Sequence, residues 1–101
     1  MPPTVRCRGD EDRVTQGVRR PAFARAIRAQ ADLIVDLSEL VFADTSLMLD
    51  FAILARRLRR RGRRLVLYDA QPHIRALIER VGLHRLQGIS IVQGPSSFAL
   101  S

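Results

Sequence analysis

The sequence contains no tryptophan and no lysine, few aromatic residues, and one cysteine. A single cysteine, Cys7, excludes an internal disulfide framework and fits a reducing compartment, and its apolar neighbourhood predicts that it is buried. No apolar run approaches the roughly 20 residues that span a bilayer, and the first residues lack the apolar stretch of a signal peptide. We therefore predict a cytoplasmic protein with no membrane insertion.

The basic charge is concentrated in one segment. The sequence has 17 basic residues, all of them arginine, against 10 acidic residues. Seven of the arginines lie within residues 56–64. Such a run can bind nucleic-acid phosphates, but here it covers the predicted end of a helix, where cations complement the helix dipole. Because no aromatic residue that could stack on bases lies nearby, we predict no specific nucleic-acid partner.

Hydrophobic periodicity predicts strands alternating with helices. Strands are expected at residues 5–8, 33–37, 65–68 and 88–92. Helices are expected from an early Pro21 to about residue 30, from Ser46 to Gly62, and from Pro72 to Gly82. A chain of 101 residues has room for one domain, with its core at residues 4–93 and a terminal helix or tail at 94–101. This alternation predicts an α/β fold with parallel strand pairs.

The second predicted helix has two distinct faces. One carries a core stripe at helical spacing, and the opposite one carries Ser46, Leu49 and Ile53, which should be exposed to solvent. Asp44 precedes the helix, either as its N-cap or as a group that orients a nearby hydroxyl. The predicted core stripe consists of Met48, Phe51, Leu54, Ala55 and Leu58.

The sequence offers little for catalysis or metal binding. His73 and His84 have no cluster of cysteine or carboxylate ligands at a suitable spacing, so no metal is predicted. No serine has a recognisable paired base, which argues against a nucleophilic triad. We therefore expect neither a cofactor nor an enzymatic activity. The serines weighed for this role were Ser38, Ser90 and Ser96.

The order of elements and four motifs resemble the STAS domain of bacterial anti-sigma factor antagonists, over about residues 8–92. The resemblance implies a small α/β domain with a mixed, mostly parallel sheet of four strands and three to four helices, in which the family's first strand is missing. The motifs are Ile-Val-Asp-Leu-Ser at 34–38, Phe-Ala-Asp-Thr-Ser at 42–46, Arg-Arg-Gly-Arg-Arg-Leu-Val-Leu at 60–67 and Val-Gly-Leu-His-Arg-Leu at 81–86.

The resemblance also implies a function. In that family the unphosphorylated domain binds an anti-sigma factor and frees the sigma factor, and the partner, a serine kinase, ends this by phosphorylating a serine. That serine corresponds to Ser46, with Thr45 as the alternative, and Leu47 stands where the family usually has glycine, facing the partner. The expected partner-binding residues are Asp44, Thr45, Ser46, Leu47, Leu49, Asp50, Ile53 and Arg57.

A second interpretation stays open at this point. The chain also resembles STAS adaptor subunits of complexes such as lipid-transport ABC systems, which have no phosphorylation cycle. Leu47 favours the adaptor, because an adaptor need not admit a kinase. A homodimer is open under both interpretations.

Overall fold

The computed structural model of the protein describes residues 3–12 and 14–94. Within these residues, four strands alternate with three α-helices, and one 3-10 turn precedes the last strand. The predicted terminal helix or tail falls almost wholly outside the described residues. The elements are β1 (Thr4–Glu11), α1 (Gln16–Ile27), β2 (Leu33–Ala43), α2 (Thr45–Arg59), β3 (Leu65–Tyr68), α3 (Pro72–Arg80), the turn Leu83–Arg85, and β4 (Ile89–Val92).

The four strands form one sheet in the order β1-β2-β3-β4. Every pairing is parallel, and one row across the sheet joins Leu33 to Leu65 and Leu65 to Ile89. The predicted α/β class, strand number and parallel pairing are confirmed. The expectation of a mixed sheet is wrong for the described residues, because a helix or a helix plus turn separates each consecutive pair and returns the chain to the same end of the sheet.

The hydrophobic core lies on one face of the sheet. Alternate residues of β2, namely Leu33, Val35 and Leu37, are fully buried in one cluster with residues of all three α-helices. The intervening Ile34 is only partly buried, so β2 is fully covered on one face only. A continuous apolar run such as residues 33–37 is instead typical of a strand buried on both faces. The helices supply Phe23 and Ile27, Phe51 and Leu58, and Ile74 and Ile78 to this cluster.

The second strand continues past its predicted end at Leu37 to Ala43, and two further predicted boundaries differ from the structure, at the first strand and the first helix. β1 continues past Gly9, whose φ of +60° accommodates an irregularity in the pairing with β2, so this glycine bends the strand instead of ending it. α1 begins at Gln16, which places Pro21 inside the helix and not in its first turn. In both cases a residue that usually interrupts an element lies within it.

The second helix follows its predicted pattern closely. Asp44 caps its N-terminus, with its side chain accepting a hydrogen bond from the backbone N–H of Ser46. After the helix, Gly62 takes a left-handed conformation with φ of +70°, as expected of a helix-terminating glycine. All five residues of the predicted core stripe are buried, so the face that packs on the sheet was identified correctly.

Candidate functional site

The N-terminus of α2 lies beside the end of β1. Glu11, the last residue of β1, pairs in register with Ala43, the last residue of β2. The backbone N–H of Asp44 donates a hydrogen bond of 3.2 Å to the carbonyl of Glu11. Parallel strands therefore bring two acidic residues from distant parts of the sequence to the same edge of the sheet, next to Ser46.

The Asp44 carboxylate binds both the backbone N–H and the side-chain hydroxyl of Ser46. The Asp44 Oδ1 atom accepts a hydrogen bond of 2.9 Å from the Ser46 N–H and another from the Ser46 hydroxyl. The two roles considered for Asp44, capping the helix and orienting the hydroxyl, are thus combined in one carboxylate. A carboxylate that accepts the hydroxyl proton of a serine is placed to receive that proton if the oxygen reacts.

Arg19 connects α1 to this site from within the protein. Its side chain is only 4% exposed, and its Nη2 atom lies 3.2 Å from the Ser46 hydroxyl oxygen, to which it donates. Its Nη1 donates to the Glu11 carboxylate at 3.1 Å and to the Thr15 hydroxyl at 3.0 Å. The Ser46 hydroxyl therefore donates to one charged group and accepts from another.

Asp50 forms ion pairs with two arginines and is not a free surface residue. Its Oδ2 atom accepts from Arg19 Nε at 2.8 Å, and its Oδ1 atom accepts from Arg20 Nη2 at 3.0 Å. The Asp50 side chain is 4% exposed, so the expectation that it contacts a partner directly is corrected. Its position one turn after Ser46 places it against α1, where the two arginines need an anion.

Leu47 is also corrected as a partner-binding residue. It is fully buried in the core cluster, one turn before Phe51 and two turns before Leu54 on the same face of α2. Its side chain points away from the surface that carries Ser46. The branched side chain consequently does not obstruct the approach of a kinase, and it no longer favours the adaptor over the antagonist.

The outer face of α2 presents apolar side chains beside Ser46. Leu49 is 57% exposed and Ile53 is 45% exposed, whereas Ser46 itself is half-buried. Thr45 and Arg57 are exposed on the same helix. We call the set Thr45, Ser46, Leu49, Ile53 and Arg57 the α2 surface.

A groove on each side enlarges this α2 surface. Between α1 and α2, a groove of about 290 Å³ runs past Phe23, Ile53 and Arg57. On the other side, a groove of about 270 Å³ lies between Leu49 and the exposed apolar residues Val81 and Leu86. This second groove could not be predicted from the sequence, because Val81 and Leu86 lie on either side of the turn Leu83–Arg85 and only tertiary packing brings them to α2.

The other candidate residues that the structure describes do not form a second site, and Ser96 lies outside the described residues. Within residues 3–12 and 14–94, no three side chains of histidine, cysteine, aspartate or glutamate are grouped so that they could hold a metal ion. Cys7 is buried in the core, as predicted. In the part of the chain that the structure describes, no helix has the length and apolar character needed to cross a membrane.

Comparisons with known proteins agree on the fold. The family model described as "Mlab, STAS domain" matches residues 2–92. A solved structure of the anti-sigma factor antagonist SpoIIAA in its unphosphorylated form is similar, with a TM-score of 0.66 and 20% sequence identity over 98% of this chain and 86% of that chain. No curated protein sequence gives a significant match.

Proposed function

Because the chain belongs to the STAS domain family, we propose that it is a regulatory domain of the anti-sigma factor antagonist type, which binds an anti-sigma factor through the α2 surface. Sigma-factor-dependent transcription in the bacterial cytoplasm would then respond to this binding. The main supporting observation is that two apolar side chains, Leu49 and Ile53, are exposed on one helix face beside a hydroxyl held by charged groups.

The character of the α2 surface suits a protein partner. Exposed apolar side chains flanked by grooves and edged by cations resemble the centre and rim of a protein interface. Asp50 also belongs to α2, but its side chain is buried against two arginines and adds no negative charge to the α2 surface. The α2 surface is thus apolar and positively charged, which favours a partner with acidic residues around an apolar contact.

In this proposal Ser46 is the switch, and the partner is the kinase. The Ser46 oxygen attacks the γ-phosphorus of ATP held by the partner, its proton passes to Asp44, and the bond between the γ-phosphorus and the bridging oxygen breaks to release ADP. The domain supplies an oriented hydroxyl and no nucleotide site. A phosphoryl group adds about two negative charges beside Leu49, so it adds a desolvation cost and repels an acidic partner.

The test uses a kinase-fold anti-sigma factor from the same host, with ATP labelled at the γ-phosphate. Wild type and Thr45→Ala should be labelled, whereas Ser46→Ala should not, because Thr45 is the adjacent exposed hydroxyl and serves as the matched control. Labelling of Ser46→Ala but not of Thr45→Ala would move the switch to Thr45. Absence of binding between the unmodified domain and any such factor would overturn the proposed function.

A second candidate function is an adaptor subunit of a complex such as a lipid-transport ABC system. The hydrogen bonds of Ser46 favour it, because a hydroxyl that already joins Asp44 to Arg19 has a structural role without any phosphate. Affinity capture from the native host followed by mass spectrometry separates the two. A transport ATPase among the captured proteins supports the adaptor, and a kinase-fold anti-sigma factor supports the antagonist.

A further inference from the structure

Two arginines from α1 are fixed beside Ser46 by one carboxylate. Asp50 binds Arg19 at 2.8 Å through one oxygen and Arg20 at 3.0 Å through the other. Arg19 is buried and already donates to the Ser46 hydroxyl oxygen. Arg20 has a half-exposed side chain, and its guanidinium is held to Asp50 by two of its nitrogen atoms.

An open cleft separates Ser46 from Arg20. It has a volume of about 620 Å³ and is lined by Gln16, Arg20, Asp44, Thr45, Ser46 and Leu49. A phosphoryl group on the Ser46 oxygen has room in this cleft. It would also lie in the first turn of α2, where backbone N–H groups and the helix dipole favour a negative charge.

A phosphoryl group on Ser46 would lie near several carboxylates and would need cations to compensate for the repulsion. Asp44 contacts the Ser46 hydroxyl directly. Glu11 and Asp50 both bind Arg19, which in turn contacts that hydroxyl. A dianion among three carboxylates is strongly disfavoured unless positive groups compensate for it. Arginine suits this task because its planar guanidinium donates two parallel hydrogen bonds to phosphate oxygens.

We propose that Arg19 and Arg20 form a binding site for the phosphoryl group of phosphoserine 46 within the same chain, and that Asp50 positions both guanidinium groups for it. This inference rests on the proposed phosphorylation of Ser46. In the modified protein the phosphate lies in the cleft against α1 and accepts from Arg20 Nη1, while Arg20 Nε and Nη2 stay on Asp50. The phosphoryl group is then an ordered part of the docking surface and not a freely rotating charge.

The test introduces phosphoserine at position 46 during translation, so it needs no kinase. A phosphorus-31 NMR titration then gives the second pKa of the phosphate, which is about 6 for an isolated phosphoserine. We expect a lower value in wild type and a rise of about half a unit or more in Arg20→Gln, whose side chain is half-exposed and whose loss leaves the core intact. Arg57→Gln removes the same charge farther along α2 and should leave the pKa near the wild-type value.

Arg19→Gln should raise the phosphate pKa further, provided that circular dichroism shows a folded protein. If this variant is unfolded, the comparison of the phosphate pKa in Arg20→Gln and Arg57→Gln tests the site by itself. Equal pKa values in wild type, Arg20→Gln and Arg57→Gln would overturn the phosphate site. A positive titration together with absent labelling by the kinase would reject the proposed switch and keep the site. Kinase labelling with no effect of Arg20 would reject the site and keep the switch.

Discussion

Arg19 and Asp50 form a buried ion pair between α1 and α2, with 2.8 Å between Nε and Oδ2 and each side chain only 4% exposed. The two residues are 31 positions apart in the sequence. Their contact is what places a cation beside Ser46, so the geometry of the candidate site depends on a tertiary interaction and not on the local sequence around the serine.

Removal of Asp50 should destabilise the protein. Asp50→Asn leaves Arg19 buried with only the Glu11 carboxylate nearby, and loss of one member of a buried pair typically costs about 3 kcal/mol or more. Urea denaturation followed by circular dichroism measures the change. Glu79→Gln is the matched control, because its ion pair with Arg75 is exposed and spans 3.8 Å, and should cost less than about 1 kcal/mol. Equal costs for the two variants would contradict the structural role given to Asp50.

Charges on the outer face of α2 should weaken partner binding without unfolding the domain. Leu49→Asp and Ile53→Asp each place a carboxylate at the centre of the apolar surface, where loss of a hot-spot contact costs about 2 kcal/mol, or roughly 30-fold in affinity. Val92→Asp on β4 is the control, because Val92 is also partly exposed but belongs to the far edge of the sheet. Titration calorimetry with the captured partner gives the affinities. Binding that survives both α2 variants would place the interface elsewhere.

Cys7 should react very slowly with thiol reagents in the folded protein. It is 2% exposed, and burial, with a smaller contribution from Glu11, raises the pKa of the Cys7 thiol to about 12. Since the thiolate is the reactive form, we expect the rate at pH 8 to be at least about 100-fold below that of the urea-unfolded chain. A chromogenic disulfide reagent measures both rates. Comparable rates would show that β1 separates readily from the sheet.

Asp36 should make the protein less stable in acid. Burial alone would raise its pKa, but hydrogen bonds from Ser38 and the nearby Arg6 guanidinium outweigh burial and hold the pKa of Asp36 below its ordinary value of 3.8. The folded state therefore favours the carboxylate. Its stabilising contribution is present above about pH 4 and is lost as the pH falls through the lowered pKa.

The acid dependence is measured by comparing wild type with Asp36→Asn in urea between pH 7 and pH 2. The free-energy difference between the two proteins should be largest at neutral pH and should shrink below about pH 4, where the wild-type carboxyl becomes protonated. A constant difference for Asp36→Asn at all pH values would contradict the assigned cause.

Local patterns in the sequence were sufficient for the order of the elements and for most residues on the two faces of α2. The alternation of strands and helices, the cap at Asp44, the helix end at Gly62 and the exposure of Leu49 and Ile53 all depend on neighbours within a few residues. Leu47 could have been assigned to the core in the same way. It stands at i relative to Phe51 at i+4 and Leu54 at i+7, a spacing that marks it as part of the buried stripe.

Such local patterns do not predict the network of charged side chains around Ser46. Arginine is rarely buried, so Arg19 looked like one of many surface cations in a chain that contains 17. Its burial follows from the register of β1 and β2, which places Glu11 next to Asp44, and from the packing of α1 on α2. Asp50 was expected to be exposed because it lies at the border of the core stripe. Its burial depends on the position of α1, whose arginines cover it.

The order of the strands has a consequence for how the chain folds. Because β1, β2, β3 and β4 lie side by side in the order in which a ribosome makes them, each new strand pairs with the one that emerged just before it. None of the four described strands has to be inserted between two that are already paired, so the sheet can grow from one edge during synthesis. The charged residues that contact Ser46 and Arg19 all precede β3 in the sequence, so they are synthesised before the strands that complete the sheet.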